Sequence, residues 1–316
     1  MHECYKTDAT GTHIIDVPES GCWVNVMEPD QDDRTWLAGR LGVVPEFIRS
    51  AFDEEETSHI DFEDEENQVL VTIDYPSEEG VEEGSDPSVL QYTTHPITVI
   101  FLREPNILLT VSLKRNHPIQ RFRDSQVRGF DTRLRTRFLL QLLLIVSQRY
   151  QLYLRRIDRL SGKTEISLRS SMRNEEIIQM LSLEKSLVYF STSLKGDESV
   201  LTKISAGRII KLYDEDQDLL EDVLIEIRQA IEMCNIYSNT LPVTMDAFAS
   251  VISNNLNIVM KSLTVITIVI AIPNIVFGFY GMNVSLPGPL NWIAPLCVAA
   301  ASCLVAVGLF KKMGMF

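Results

Sequence analysis

Three patterns of apolar and polar positions succeed one another along this chain of 316 residues. In the first third, short runs rich in β-branched residues, His13–Val17, Trp23–Val26, Val69–Asp74, Ile97–Leu102 and Ile107–Val111, alternate with Gly, Pro and Asp punctuation, the signature of strands. Helical spacing at Arg34–Leu41 and Pro45–Ala51 interrupts them, and Ser77–Asp86 reads as a polar acidic loop. An α/β domain over residues 1–130 follows. From Asp131 the spacing turns helical and no proline occurs before Pro242, so a helical region is expected over 131–242, with helices at Phe138–Val146, Glu175–Leu194, Val200–Ile210 and Leu219–Ser238. Phe138–Val146 is strongly apolar, but nine residues are too few to span a bilayer, and Arg133, Arg135, Arg137 and Arg149 surround it; it reads as a buried helix of a bundle.

The third pattern begins after Lys261. Residues 262–310 are 49 positions without one charged side chain. A hydrocarbon core about 30 Å thick needs roughly 20 helical residues per crossing, and Ser262–Tyr280 and Trp292–Phe310 supply 19 each. The linker 284–291 holds two prolines and a glycine, which stop a helix. The chain is therefore expected to close in a two-span hairpin, divided into 243–280 (stalk and first span), 281–291 (outer loop) and 292–316 (second span and basic tail). Lys261, Lys311 and Lys312 flank the spans and the linker carries no base, which puts the linker outside and both termini in the cytoplasm. Met1–Thr10 is polar and lacks the apolar core of a secretory signal, in keeping with a cytoplasmic N-terminal part anchored in the cell's cytoplasmic membrane.

Within the first span the polar positions are ordered. Steps of alternately four and three residues from Asp246 meet Ser250, Ser253, Asn257, Met260, Thr264, Thr267, Ala271, Asn274, Gly278 and Gly281, nearly all small or polar. The opposite face, Val265, Ile266, Ile268, Val269, Ile272, Ile275 and Val276, suits lipid or a neighbouring helix. A seven-residue period keeps one face of a helix on a central axis. Small and hydroxyl residues also suit a plain helix–helix contact, yet an amide such as Asn257 or Asn274 needs a polar partner or water. Two spans per chain cannot enclose water alone. Either the stripe packs helices together, or several copies line a pore with it.

Composition narrows the chemistry. The net charge of −14 is concentrated at the front: residues 1–130 hold 26 Asp/Glu against 10 Lys/Arg, and Asp53–Glu66 alone has nine acids in fourteen residues. Nucleic acid, which is bound by Lys/Arg, is not the partner this balance suits, whereas divalent cations favour carboxylate oxygens. The acid run itself reads as a solvated surface. Cys4, Cys22, Cys234, Cys297 and Cys303 lack paired spacing, and the five histidines lack metal-ligand spacing, so neither a disulfide framework nor a zinc site is indicated. No phosphate-binding glycine loop and no nucleophile motif is present, so the chain does not read as an enzyme and needs no organic cofactor.

Tyr280-Gly281-Met282-Asn283 between two terminal spans, a short basic tail, and the segments Asp246–Asn257 and Val259–Ile266 resemble the CorA family of divalent-cation channels, chiefly magnesium transporters. The resemblance implies a funnel-shaped homopentamer in a lipid bilayer, with a cytoplasmic α/β domain, long stalk helices and a pore lined by the first span. It makes Tyr280, Gly281, Met282 and Asn283 the outer selectivity entrance. Thr264, Thr267, Ala271, Asn274 and Gly278 would line the membrane pore, Met260 and Leu263 its hydrophobic constriction, and Asn257 and Asp246 the inner vestibule. Asp222 matches an acid used between subunits for regulatory magnesium, its partner lying unassigned among Asp61–Glu66 and Asp74. Magnesium is implied as both cargo and regulator. Zinc, cobalt or nickel as the ion remains open, as does an anchored sensor or scaffold. One departure stands out: the outer loop 284–291 has no acid, unlike many family members.

Overall fold

The computed structural model describes residues 2–80, 89–171, 174–281 and 293–314, and the chain divides into two compact units, Met1–Val243 and Thr244–Phe316. In the first, β1 (His2–Asp8), β2 (Gly11–Ile15), β3 (Trp23–Met27), β4 (His59–Glu63), β5 (Gln68–Gly80), β6 (Leu90–Leu102) and β7 (Ile107–Ser112) form one sheet in the order β2-β1-β3-β7-β6-β5-β4. β3 pairs parallel to β7; the other described pairings are antiparallel. β7 and the Ile97–Leu102 end of β6 are buried at every residue because helices cover both faces.

On one face, Leu37 and Leu41 of α1 (Gln31–Leu41) and Phe47 and Ile48 of α2 (Pro45–Ala51) share a core with Val24, Val26, Ile100 and Leu109. α1 starts where Asp30 and Asp33 cap each other's backbone N–H, at 2.8 and 3.2 Å, and it stops at Gly42, whose φ of 66° suits a residue without Cβ. On the other face, Trp23 packs 6.3 Å from Phe122 of α3 (His117–Arg123) and 5.3 Å from Phe138 of α4 (Arg135–Ser171). Its indole N–H donates to Thr110 Oγ1 at 2.8 Å, so the largest buried side chain leaves no polar atom unmet.

α5 (Asn174–Ser205) lies along the free side of the first half of β6. There β7 has ended, and side chains of α5 take over the ladder: Gln179 bonds both the N–H and the C=O of Leu90, at 2.8 and 2.9 Å, and Ser186 Oγ accepts the Tyr92 N–H at 2.9 Å. This explains one correction to the sequence reading. Ser77–Gly80 are strand, paired with Leu90–Thr93, although every one is small or polar; residues 81–86 of the expected loop lie outside the described residues. The break expected between Leu194 and Val200 is also missing. Gly196 does not interrupt α5 but lets it approach the chain before β4, since a Cβ there would lie 2.9 Å from Ser58 Cβ. Beside it Asp197 is fully buried, Oδ1 accepting from Asp74 N–H and Ser58 Oγ at 2.9 Å each.

α6 runs unbroken over Gln217–Tyr280, joining the separately expected Leu219–Ser238 and the stretch from Val243. Pro242 and Pro273 each forfeit one ladder hydrogen bond without ending it. Its opening turns follow a 3-10 turn, Asp214–Asp216, and bury Val223, Ile227, Ala230 and Cys234; Gln151 of α4 donates to Glu226 O at 3.0 Å and Cys234 Sγ to Leu187 O at 3.4 Å. The second unit holds the remainder of α6 and α7 (Ile293–Lys312). Both helices contain stretches long and apolar enough to cross a membrane.

Candidate functional site

In the second unit α6 has one face turned to a partner and one left open. Val265 is 1% exposed, and Val269, Ile272, Pro273, Val276 and Tyr280 are half-buried at the spacing of one helical face. On α7 the covered positions are Ile293, Pro295, Ala299, Ser302, Cys303, Ala306 and Phe310, small at four of the seven, and Cys303 Sγ lies 3.7 Å from Val269 O. Branched side chains on α6 thus meet small ones on α7, which permits close approach. Ile266, Ile268 and Ile275, expected on the same apolar face, remain exposed. The covered face of α7 is written in the sequence as a small side chain at every third or fourth position, Ala299, Ser302, Cys303 and Ala306, a pattern weaker than the polar stripe of α6 because the rest of the helix is apolar too.

Every described stripe position is exposed: Asp246, Ser250, Ser253, Asn257, Met260, Thr264, Thr267, Ala271, Asn274, Gly278 and Gly281, together with Leu263 beside them. Asn257 and Asn274 make no hydrogen bond to any described residue, so both amides are available to a ligand on the open face. The hydroxyls differ. Thr264 Oγ1 donates to Met260 O at 2.7 Å, Thr267 Oγ1 to Leu263 O at 2.8 Å, and Ser250 Oγ to Asp246 O at 3.1 Å. With its proton committed to its own helix, each oxygen presents only acceptor capacity outward. A face of acceptors suits the donor surface of a hydrated cation. Met260 and Leu263, 54% and 56% exposed, put an apolar step between the two asparagines on this face.

Tyr280 closes α6, its ring edge-on to Phe279 at 5.7 Å. Gly281 follows, its N–H donating to Phe277 O at 2.8 Å, and a Cβ there would stand 3.1 Å from that same carbonyl. Met282 and Asn283 lie outside the described residues. Gly278 has no described neighbour within 4 Å of where a Cβ would be, so nothing among the described residues requires a glycine there.

Asp222 is exposed on α6 in the first unit, and no cation pairs with it among the described residues. Among its suggested partners, Asp74 is buried against Asp197, and Asp61, Asp64, Glu65 and Glu66 are exposed. The described residues contain no group of three or more His, Cys, Asp and Glu able to hold a metal within one chain.

Residues 18–312 match the family of CorA-like Mg2+ transporter proteins. The chain is 24% identical over 306 residues to the cobalt/magnesium transport protein CorA of Methanocaldococcus jannaschii, covering 92% of this chain and 90% of that one. It superimposes on the complete structure of the CorA magnesium transporter from the same organism with a TM-score of 0.81 at 22% identity, covering 100% and 99% of the two chains. The cytoplasmic domain of ZntB from Vibrio parahaemolyticus shares the fold of the soluble part, with a TM-score of 0.60 at 11% identity over 80% of this chain and 98% of that one.

Proposed function

This chain belongs to the CorA family, and we propose that it is a passive channel admitting hydrated magnesium through the cytoplasmic membrane, closed from inside when magnesium is abundant. It is a divalent-cation transporter of that family and not an enzyme. The observation that carries the pore reading is the division of labour on α6: α7 covers Val265, Val269, Ile272 and Val276, while Asn257, Thr264, Thr267, Ala271, Asn274 and Gly278 stay open. An anchoring helix has no use for an uncovered amide at mid-span. One such face cannot enclose water, so the working unit is a ring of chains, five in this reading, with both termini in the cytoplasm.

Magnesium surrenders its waters reluctantly, so recognition of the intact hydrate by neutral oxygens is the economical chemistry. Asn283 at the outer mouth and Asn274 within the span supply amide carbonyls, and the threonine oxygens add acceptors. Carboxylates in the same places would hold the ion too tightly to pass. Rings of Met260 and Leu263 close the path by dewetting. Acidic cytoplasmic surfaces meeting between chains repel unless a cation bridges them, and Asp222 is the residue assigned to that bridge.

The test is flux into liposomes from purified protein, with magnesium, cobalt, nickel and zinc offered separately against a monovalent control. Magnesium flux that Asn274→Leu suppresses supports the reading. Flux of zinc alone reassigns the ion, and the absence of any divalent flux in correctly assembled protein overturns the pore.

A further inference from the structure

The first unit contains a cavity of about 630 Å³ where the β6–β7 turn, the start of α4 and residues 209–216 converge. Five bases line it, and they are not equivalent. Arg133 is tied to Asp131 at 2.6 Å and Arg137 faces Asp216 at 3.8 Å, but Arg103, Arg135 and Lys211 have no carboxylate partner among the described residues. In a chain with 43 acids and 29 bases, shortage of carboxylates does not explain this.

Arg135 is the unusual member. It is partly buried, lies with its guanidinium 5.7 Å from the centre of the Phe101 ring, and spends one donor on Leu102 O at 2.7 Å. Burial lowers its pKa, Tyr213 opposes that shift and Arg103 adds a smaller lowering, so a bound anion would favour the charged guanidinium. Lys211 lines the same cavity, its segment fixed by Thr136 Oγ1 donating to Lys211 O at 3.0 Å, and its ammonium lies 5.1 Å from the centre of the exposed Tyr213 ring. Asp214 and Glu215 also line the cavity and form no salt bridge with these three cations among the described residues. A small molecule with two or more linked phosphates suits this lining: its several anionic oxygens can meet more than one of the three cations, and a divalent ion on its outer oxygens suits the two acids.

We propose that this cavity binds a polyphosphate anion of the nucleotide class, held by Arg103, Arg135 and Lys211, with Tyr213 as the ring on which a base stacks. Bidentate guanidinium groups and a mobile ammonium are the side chains that recognise phosphate. The site is independent of whether the chain conducts ions.

The experiment is calorimetric titration of the full-length protein in detergent, at fixed free magnesium, with ATP, tripolyphosphate and inorganic phosphate. Saturable binding of ATP and tripolyphosphate is expected, weakened about tenfold by Arg103→Gln and by Lys211→Gln but unaffected by Lys163→Gln outside the cavity. Tighter binding of ATP than of tripolyphosphate, with the difference removed by Tyr213→Ala, confirms the base position; equal affinity overturns the Tyr213 assignment. Arg135→Gln also breaks the bond to Leu102, so Arg103 and Lys211 carry the test. Absence of saturable binding, equal weakening by Lys163→Gln, or inorganic phosphate binding as tightly as tripolyphosphate overturns the proposal. So does a changed oligomeric mass in Lys211→Gln, which assigns the cavity to contact with a second copy of the chain.

Discussion

Cys303 places its thiol 3.7 Å from the carbonyl oxygen of Val269, the one carbonyl of that turn whose helical partner is lost because residue 273 is proline. In a hydrocarbon environment a backbone carbonyl without a donor is costly, and neighbouring helices commonly supply what a proline removes. The contact therefore does two things at once: it satisfies α6 at its proline and fixes the register of α7 against it.

Replacing the thiol separates those effects. Cys303→Ser retains a donor and should leave the thermal stability of the assembled protein within measurement error. Cys303→Val, of similar volume and without a donor, should lower stability by about 1 kcal/mol, read as a fall in the midpoint of thermal unfolding in detergent. Equal behaviour of the two variants would mean that the contact is packing only.

The face of α7 yields a second expectation. Ala299 is 5% exposed on the side that carries Cys303. Ala299→Leu should force the two helices apart and cost about 1 to 3 kcal/mol, visible as a fall in the midpoint of thermal unfolding in detergent. Leu304→Ala, at an exposed position of the same helix, should leave that midpoint unchanged.

Asp197 makes stability in the first unit depend on pH. Burial, and next the charge of Asp74, raise its pKa well above the ordinary carboxylate value, while Oδ2 has no partner among the described residues. The folded state thus holds a proton that the unfolded chain releases above about pH 4. Its contribution is complete below the unfolded pKa and is lost as pH rises through the folded value. Asp197→Asn keeps an oxygen for the Asp74 N–H and Ser58 and cannot ionise. The variant should gain on the parent in unfolding midpoint progressively as pH rises above about 4, by a few degrees once the parent's Asp197 is forced to ionise. A parent and variant with parallel pH profiles would show that Asp197 does not titrate with folding.

The distribution of what the sequence discloses has physical causes. The strands at Trp23, Ile97 and Ile107 were legible because helices cover both faces and force continuous apolar runs. β1 and β4 bury few residues each, Cys4 and Tyr5 in one and Ile60 in the other, and β4 is an acidic edge where charge guards against further pairing. Periodicity alone could not tell that Gly196 and Pro242 lie inside helices, since both act through tertiary contacts or a single missing bond. The stripe on α6 was readable because a seven-residue period survives in one dimension. Arg103, Arg135 and Lys211 belong to three separate segments, and nothing local in the sequence announces that folding brings them to one cavity.

The open face of α6 leads to a paired expectation about conduction. Asn274→Leu should cut magnesium flux at least about tenfold by replacing the mid-span acceptors with an apolar ring, and Asn283→Ala should abolish uptake, both without loss of assembly. Gly278→Val adds side chain where no described residue stands within 4 Å, so a block it causes is expected to arise between copies. Normal flux in all three, measured with a magnesium-sensitive dye inside liposomes, would move the ion path off this face.

Asp222 supplies the last expectation, because it is exposed on α6 and has no cation partner among the described residues. If magnesium bridges it to a carboxylate of a neighbouring copy, millimolar magnesium should protect the cytoplasmic unit from proteolysis and reduce conductance. Asp222→Asn should raise the magnesium concentration needed for both effects by about tenfold, in line with the loss of one charged ligand. Monovalent salt at matched ionic strength should protect neither protein, since screening weakens repulsion between exposed charges without joining two particular carboxylates. Sodium chloride that protects as well as magnesium, or an Asp222→Asn protein that responds like the parent, would reduce the acidic surface to a solvated one and leave closure to some other part of the molecule.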